Sequence, residues 1–174
     1  MTSPNDVNEF FADCTDFELC DALSVVIENH YSFEALQKRA AHIPRERWVI
    51  HCLWGNSGFL DGEGYSYLWG SDLDHYGYAE ALEEIGFDIL ASIIRDSLGL
   101  VPRELLGKWD AVESHTASET ARDEAAELMD EKFISDHPDF EGKLGRYVRT
   151  RRQSFADLLD ALKRQREFIN GLKH

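Results

Sequence analysis

The residues best suited by type and spacing to do chemistry lie in one stretch rich in glycine and aromatics. Asp72, Asp74 and His75, with Asp61 or Glu63 a little upstream, supply oxygen and nitrogen donors of the kind that hold a divalent metal. A metal-dependent enzyme built on the Asp61 to His75 loop is therefore one reading. A plainer one uses the same residues. In Ser71-Asp72-Leu73-Asp74 a carboxylate placed ahead of a helix caps its first amides and complements its dipole. Capping is the preferred reading, so no metal and no cofactor are expected. His51 falls within an apolar helical pattern and reads as a hydrogen-bonded core or boundary histidine. Gly62 and Gly64 do not form a phosphate-binding G-x-G-x-x-G, because no strand precedes them and the flanking acids repel phosphate. No G-x-S-x-G, H-E-x-x-H or P-loop pattern occurs. No catalytic residue is assigned, and no enzyme is expected.

Charge offers more. The 174 residues carry 33 acids and 18 bases, a formal net charge of -15. The excess is uneven along the chain: residues 1–141 hold 30 acids and 9 bases, whereas residues 142–174 hold 3 acids and 9 bases. Such an excess repels nucleic acid and membrane phosphate and attracts basic partners, with a strength that falls as salt rises. Two sets of carboxylates are candidates for contact with such a partner. One is Asp123, Glu124, Glu127, Asp130 and Glu131, on a helix whose opposite face carries Ala121, Ala125, Met129 and Phe133. Over Asp123 to Glu131 the rise is roughly 12 Å, comparable with a few phosphates of a DNA strand. The other is Asp6, Glu9, Asp13 and Asp16, in an acidic block that contains no Lys or Arg before Lys38. The plain alternative is that these faces are simply solvated.

The elements that must position these residues are helical throughout. Ser3 and Pro4 open a first helix bearing Phe10 and Phe11. Thr15-Asp16-Phe17-Glu18 has capping-box form, followed by Leu19, Leu23, Val26 and Ile27 on one face. Ser32 caps a third helix, and Pro44 marks a new start. From Pro44 a helix carries Trp48, Val49, Cys52, Leu53 and Trp54 and is expected to end in a turn at Asn56-Ser57-Gly58-Phe59. Tyr65, Leu68 and Trp69 suit a short helix that tucks aromatics against the core. Tyr78, Leu82 and Ile85 follow at helical spacing up to Gly86, a residue able to take the left-handed conformation of a C-terminus. Phe87, Leu90, Ile94 and Leu98 continue to Gly99. Thr116-Ala117-Ser118-Glu119 has the form of a second capping box, and Ser135-Asp136-His137-Pro138 is expected to end the helix it opens. Phe140, Leu144, Tyr147 and Val148 make the next helix, with Arg146, Arg149, Arg151 and Arg152 at its basic end. Ser154 is expected to cap a last helix closed by Gly171.

The order Asn56-Ser57-Gly58-Phe59, an aromatic stretch, then Tyr78-Ala79-Glu80-Ala81-Leu82-Glu83-Glu84-Ile85-Gly86 resembles the family of DNA mimic protein nineteen. Members usually read Asn-Gly-Gly-Phe, then aromatics, then a helix rich in alanine and glutamate that ends in Ile-Gly. Met129-Asp130-Glu131-Lys132-Phe133 and Leu144-Gly145-Arg146-Tyr147-Val148-Arg149 resemble the family's closing helices, so that the likeness covers roughly Arg45 to Phe155. Ser57 departs from the usual glycine, and Asp61-Gly62-Glu63-Gly64 is an insert of this chain. The resemblance makes Asn56, Gly58, Phe59, Ile85 and Gly86 structural motif positions. It implies an all-helical, commonly dimeric protein without a cofactor that presents DNA-like negative charge to a DNA-binding transcription factor.

The expected fold is all-α, a single compact multi-helix domain. Residues 1–43 form acidic N-terminal helices, residues 44–153 the helical domain that resembles the mimic, and residues 154–174 a basic C-terminal helix. The 43% apolar composition supports a real core. Cys14, Cys20 and Cys52 are expected to be buried and reduced. With neither a leader pattern at the N-terminus nor an apolar run of spanning length, the expected location is the cytoplasm. The expected function is to bind a basic DNA-binding protein, such as a transcription regulator, by acidic charge, without touching nucleic acid or membrane. An immunity-type inhibitor of a basic toxin or nuclease is the alternative among binding proteins. A further reading of the basic end is that it docks on an acidic face of a second copy, as a homodimer.

Overall fold

The computed structural model describes residues 4–172, with the side chains at 4, 57–59, 61–63, 135–138, 170 and 172 outside the description. Every regular element among them is helical, which makes the protein all-α. The chain forms two compact units. One takes the described residues up to Trp54 and from Asp139 onward; the other is Gly55–Pro138. Residues 4–43 and 154–172 thus fall in the same unit.

In the first unit, α1 (Pro4–Asp13), α2 (Asp16–His30), α3 (Phe33–Gln37) and the first part of α4 (Arg45–Glu63) are joined by the last part of α8 (Glu119–Thr150) and by α9 (Leu159–Leu172). The predicted capping box at Thr15 is formed: Glu18 N–H donates to Thr15 Oγ1 at 3.2 Å, and Thr15 N–H donates to the Glu18 carboxylate at 3.2 Å. Ser32 likewise caps α3, accepting from Ala35 N–H at 3.3 Å. The apolar face predicted for α2 is buried, and Phe11, Trp48, Phe140, Leu144, Phe155 and Leu162 complete the core around it. Trp48 Nε1–H reaches the Leu36 carbonyl at 3.1 Å, so the ring is buried without an unsatisfied donor. All three cysteines are buried thiols.

Two arginines bind this unit together. Arg47, only 5% exposed, donates to the Ser154 carbonyl at 3.1 and 2.8 Å and to the Tyr31 hydroxyl at 2.9 Å, and pairs with Asp157. Arg149 donates to the carbonyls of Phe11 and Cys14 at 3.0 and 2.7 Å and pairs with Asp16. The basic end of α8 therefore engages the acidic N-terminal helices of its own chain. Gly145 sits below that pair, where a Cβ would overlap the Asp16 carboxylate.

In the second unit, the end of α4 leads through a 3-10 turn (Tyr65–Tyr67) to α5 (His75–Glu84) and α6 (Asp88–Leu98), which pack on each other. A second 3-10 turn (Arg103–Leu105), α7 (Trp109–Glu113) and a third 3-10 turn (Thr116–Ser118) precede the start of α8. The short aromatic segment behaves as predicted, with Tyr65, Leu68 and Trp69 buried. Trp69 Nε1–H donates to the Ser97 carbonyl at 3.0 Å, and the Tyr65 and Tyr78 hydroxyls meet at 3.2 Å. Gly86 closes the α5 end at φ 86°, the left-handed conformation foreseen for it.

Several boundaries differ from expectation. α4 does not turn at Asn56-Ser57-Gly58-Phe59 but continues to Glu63, bringing Leu60 into the core. α8 runs through 135–138 rather than stopping before Pro138, although a proline in a helix forfeits one backbone hydrogen bond. The expected box at Thr116 is instead a 3-10 turn, and Ser118 Oγ donates to the Leu100 carbonyl at 2.6 Å. Ser154 lies inside a 3-10 segment (Arg152–Leu158) ahead of α9, and α9 continues past Gly171. Ser3, the expected first cap, lies outside the described residues.

Candidate functional site: an acidic unit with an aromatic-walled cavity

The fold redistributes the charge. By sequence, residues 1–54 and 139–174 together hold 14 acids and 13 bases; residues 55–138 hold 19 acids and 5 bases, a net of -14. The gradient along the sequence becomes a partition between units. The acidic N-terminal helices are balanced by C-terminal bases folded onto them, whereas residues 55–138 hold 5 bases of their own for 19 acids.

This partition separates the two candidate carboxylate sets. In the N-terminal set, Asp16 is paired with Arg149, while Asp6, Glu9 and Asp13 share a cavity of about 360 Å³ with Lys163 and Arg166. Arg166 also donates to the Asp13 carbonyl at 2.9 Å. In the α8 set, Asp123, Glu124, Glu127 and Glu131 are exposed. Asp130 is different. It is half-buried, and its carboxylate accepts from Tyr65 N–H at 2.8 Å, capping a turn that carries no side-chain cap of its own.

The buried stripe of α8 in this unit is Arg122, Ala126, Met129 and Phe133, with Ala121 and Ala125 only half-buried. The apolar face predicted through Ala121 and Ala125 is thus displaced by one residue at its start. The reason is Arg122. At 7% exposure it donates from Nη1 to the carbonyls of Val112 and His115, both at 3.0 Å, tying α8 to the end of α7. Its i, i+4, i+7, i+11 spacing to Ala126, Met129 and Phe133 was the available signal, obscured because an arginine reads as polar face.

Beside Arg122 opens a cavity of about 530 Å³ lined by Tyr67, Trp109, Glu113, Glu119 and Asp123 among others. Tyr67 and Trp109 stack at 4.6 Å with 16° between their planes. Gly70 is required beside them, since a Cβ there would overlap the indole. The two rings lie 42 positions apart in the sequence, and no local pattern links them.

Two residues of the Asp61 to His75 loop have partners within the fold. Asp74 is the N-cap of α5, accepting from Gly77 N–H at 3.1 Å. His75 is buried, and its Nε2–H donates to the Leu68 carbonyl at 2.7 Å. Burial pushes the imidazole below its ordinary value, outweighing that bond and the nearby Asp74 and Asp72 carboxylates, which act upward. The side chains of Asp61 and Glu63 lie outside the description. Among the described residues no three His, Cys, Asp or Glu side chains are grouped so as to hold a metal ion. His51 is buried with Nδ1 at 3.2 Å from the Glu28 carboxylate, the boundary position anticipated. Of the motif positions, Ile85 is buried, Asn56 lies within α4, and Gly58 and Phe59 fall where side chains are not described. Among the described residues no helix is long and apolar enough to cross a membrane. No family model, curated protein or solved structure matches the chain.

Proposed function

We propose that residues 55–138 bind a basic protein through carboxylate charge, and that the partner is a DNA-binding protein whose DNA-contacting surface they occupy as a mimic. The supporting observation is the net charge of -14 in this unit against near neutrality in the other. On α8, Asp123, Glu127 and Glu131 recur at i, i+4 and i+8, one exposed row rising about 6 Å per step. Carboxylates so arrayed favour a Lys/Arg-rich surface for the reason that phosphates do. Affinity for such a surface falls with salt and is open to competition by duplex DNA. The resemblance to the DNA mimic family points the same way.

The experiment is capture of partners on the immobilised protein at low salt, followed by elution with duplex DNA. A basic DNA-binding protein released by DNA is the expected result. Substituting Glu124→Gln, Glu127→Gln and Glu131→Gln together should then weaken that complex at least tenfold at low salt, with less effect as salt rises. A basic partner retained through the DNA wash would instead identify an immunity-type inhibitor. Capture unaffected by salt, or by the triple substitution, would defeat the electrostatic reading.

A further inference from the structure

We propose that the cavity walled by Tyr67 and Trp109 seats an arginine side chain of the basic protein partner. This rests on the reading of residues 55–138 as the partner-binding unit and adds the place where one residue is anchored. The cavity, about 530 Å³, is of the size of small-ligand sites. Trp109 is the most exposed of the four tryptophans, at 36%, whereas Trp48 and Trp69 are buried and Trp54 is half-buried. The stacked Tyr67–Trp109 pair supplies an aromatic wall of the sort on which guanidinium groups lie, and tryptophan is the best of such surfaces.

Around that wall stand Glu113, Glu119 and Asp123, all exposed and, among the described residues, without a cationic partner. The one base in the lining is Arg122, whose Nη1 is engaged by two backbone carbonyls. The lining therefore keeps a net charge of -2. An aromatic wall alone would suit any apolar group, and carboxylates alone any cation. Together they select a flat cation. Arginine offers a planar fork for paired bonds to carboxylates, while lysine offers a compact, strongly hydrated point charge.

The test is a titration of the full chain, labelled with nitrogen-15, followed at the tryptophan indole signals. Trp109→Phe identifies the Trp109 signal, and the buried Trp69 signal is the internal reference. The probes are acetyl-Gly-Arg-Gly-amide, its lysine counterpart, and its citrulline counterpart, in which a neutral urea replaces the guanidinium. The arginine peptide should shift the Trp109 signal saturably, with at least fivefold higher affinity than either counterpart. Glu119→Gln with Asp123→Asn, substitutions at exposed positions, should lower that affinity at least fivefold. Asp96→Asn with Glu104→Gln, outside the cavity, should change it less than twofold.

Equal binding of the citrulline peptide, or wild-type binding by the cavity variant, would overturn the proposal. So would tighter binding of unblocked L-arginine, which would mark a small-molecule site. A long arginine-rich peptide separates this proposal from the reading beneath it. If the wild type and the cavity variant bind that peptide equally, the pocket is wrong and the basic-partner reading stands. If the wild type does not bind it at low salt, the basic-partner reading itself fails.

Discussion

Asp130 and Arg122 belong to the same helix, and both turn their charge inward. Asp130 holds the Tyr65 amide and Arg122 holds two carbonyls, so one links α8 to the 3-10 turn at Tyr65 and the other to the end of α7. Replacing Asp130 with alanine leaves a part-buried amide without its acceptor and should destabilise the protein by about 1–3 kcal/mol. Asp130→Asn keeps an acceptor oxygen and should lose less. Urea unfolding of the two variants checks the order, and equal losses would mean that the carboxylate acts by charge alone. Glu127, one turn away and exposed, should behave oppositely: Glu127→Gln should leave the unfolding midpoint nearly unchanged and lower affinity for a basic partner. Arg122→Met removes the charged donor shared by the Val112 and His115 carbonyls, of which Val112 keeps the His115 amide, and should lower stability by about 1.5–3 kcal/mol. An arginine or aspartate facing inward is hard to foresee, because composition and helical pattern assign charged residues to solvent.

The helix starts at Thr15, Ser32 and Asp74 were legible from local chemistry, those expected at Thr116 and Ser154 were not, and neither were the helix ends governed by packing. Thr15, Ser32 and Asp74 each satisfy an amide three residues on, so a few neighbours decide the geometry. Thr15→Ala should therefore remove about 1 kcal/mol, measured as a lower thermal midpoint. Asn56-Ser57-Gly58 look like a stop, yet α4 passes through them to bury Leu60. Pro138 teaches the same about α8, in which the helix continues to supply Phe140 and Leu144 to a core. The short link between α5 and the turn before it carries a pH dependence. His75 titrates below its ordinary value of 6.5 in the folded chain, so the unfolded chain binds the proton more readily. Its contribution to stability is therefore complete above that value and is lost as pH falls through it toward the lower folded value. Thermal midpoints measured from about pH 7.5 to 5 should fall, and His75→Gln should flatten the part due to this residue. An unchanged slope in the variant would assign the dependence to other groups.

At the scale of the molecule, the tally of acids and bases was readable in the chain, but its partition was not. Residues 142–174 are basic, and only the return of α9 and the end of α8 to the N-terminal helices shows which acids they neutralise. Raising salt should consequently act unequally on the two units. Hydrogen exchange should slow in residues 55–138, where screening relieves like-charge repulsion, and change less in the other unit. Equal responses would show that repulsion within the acidic unit is weak. The near neutrality of one unit and the charge of the other also join folding to recognition. Like charges held together in residues 55–138 push against the compact state, and a polycation that settles among them removes that push as it binds. A basic partner would then work as a folding ligand for this unit alone, and its occupancy could be followed as a rise in that unit's melting temperature, without any signal from the partner itself.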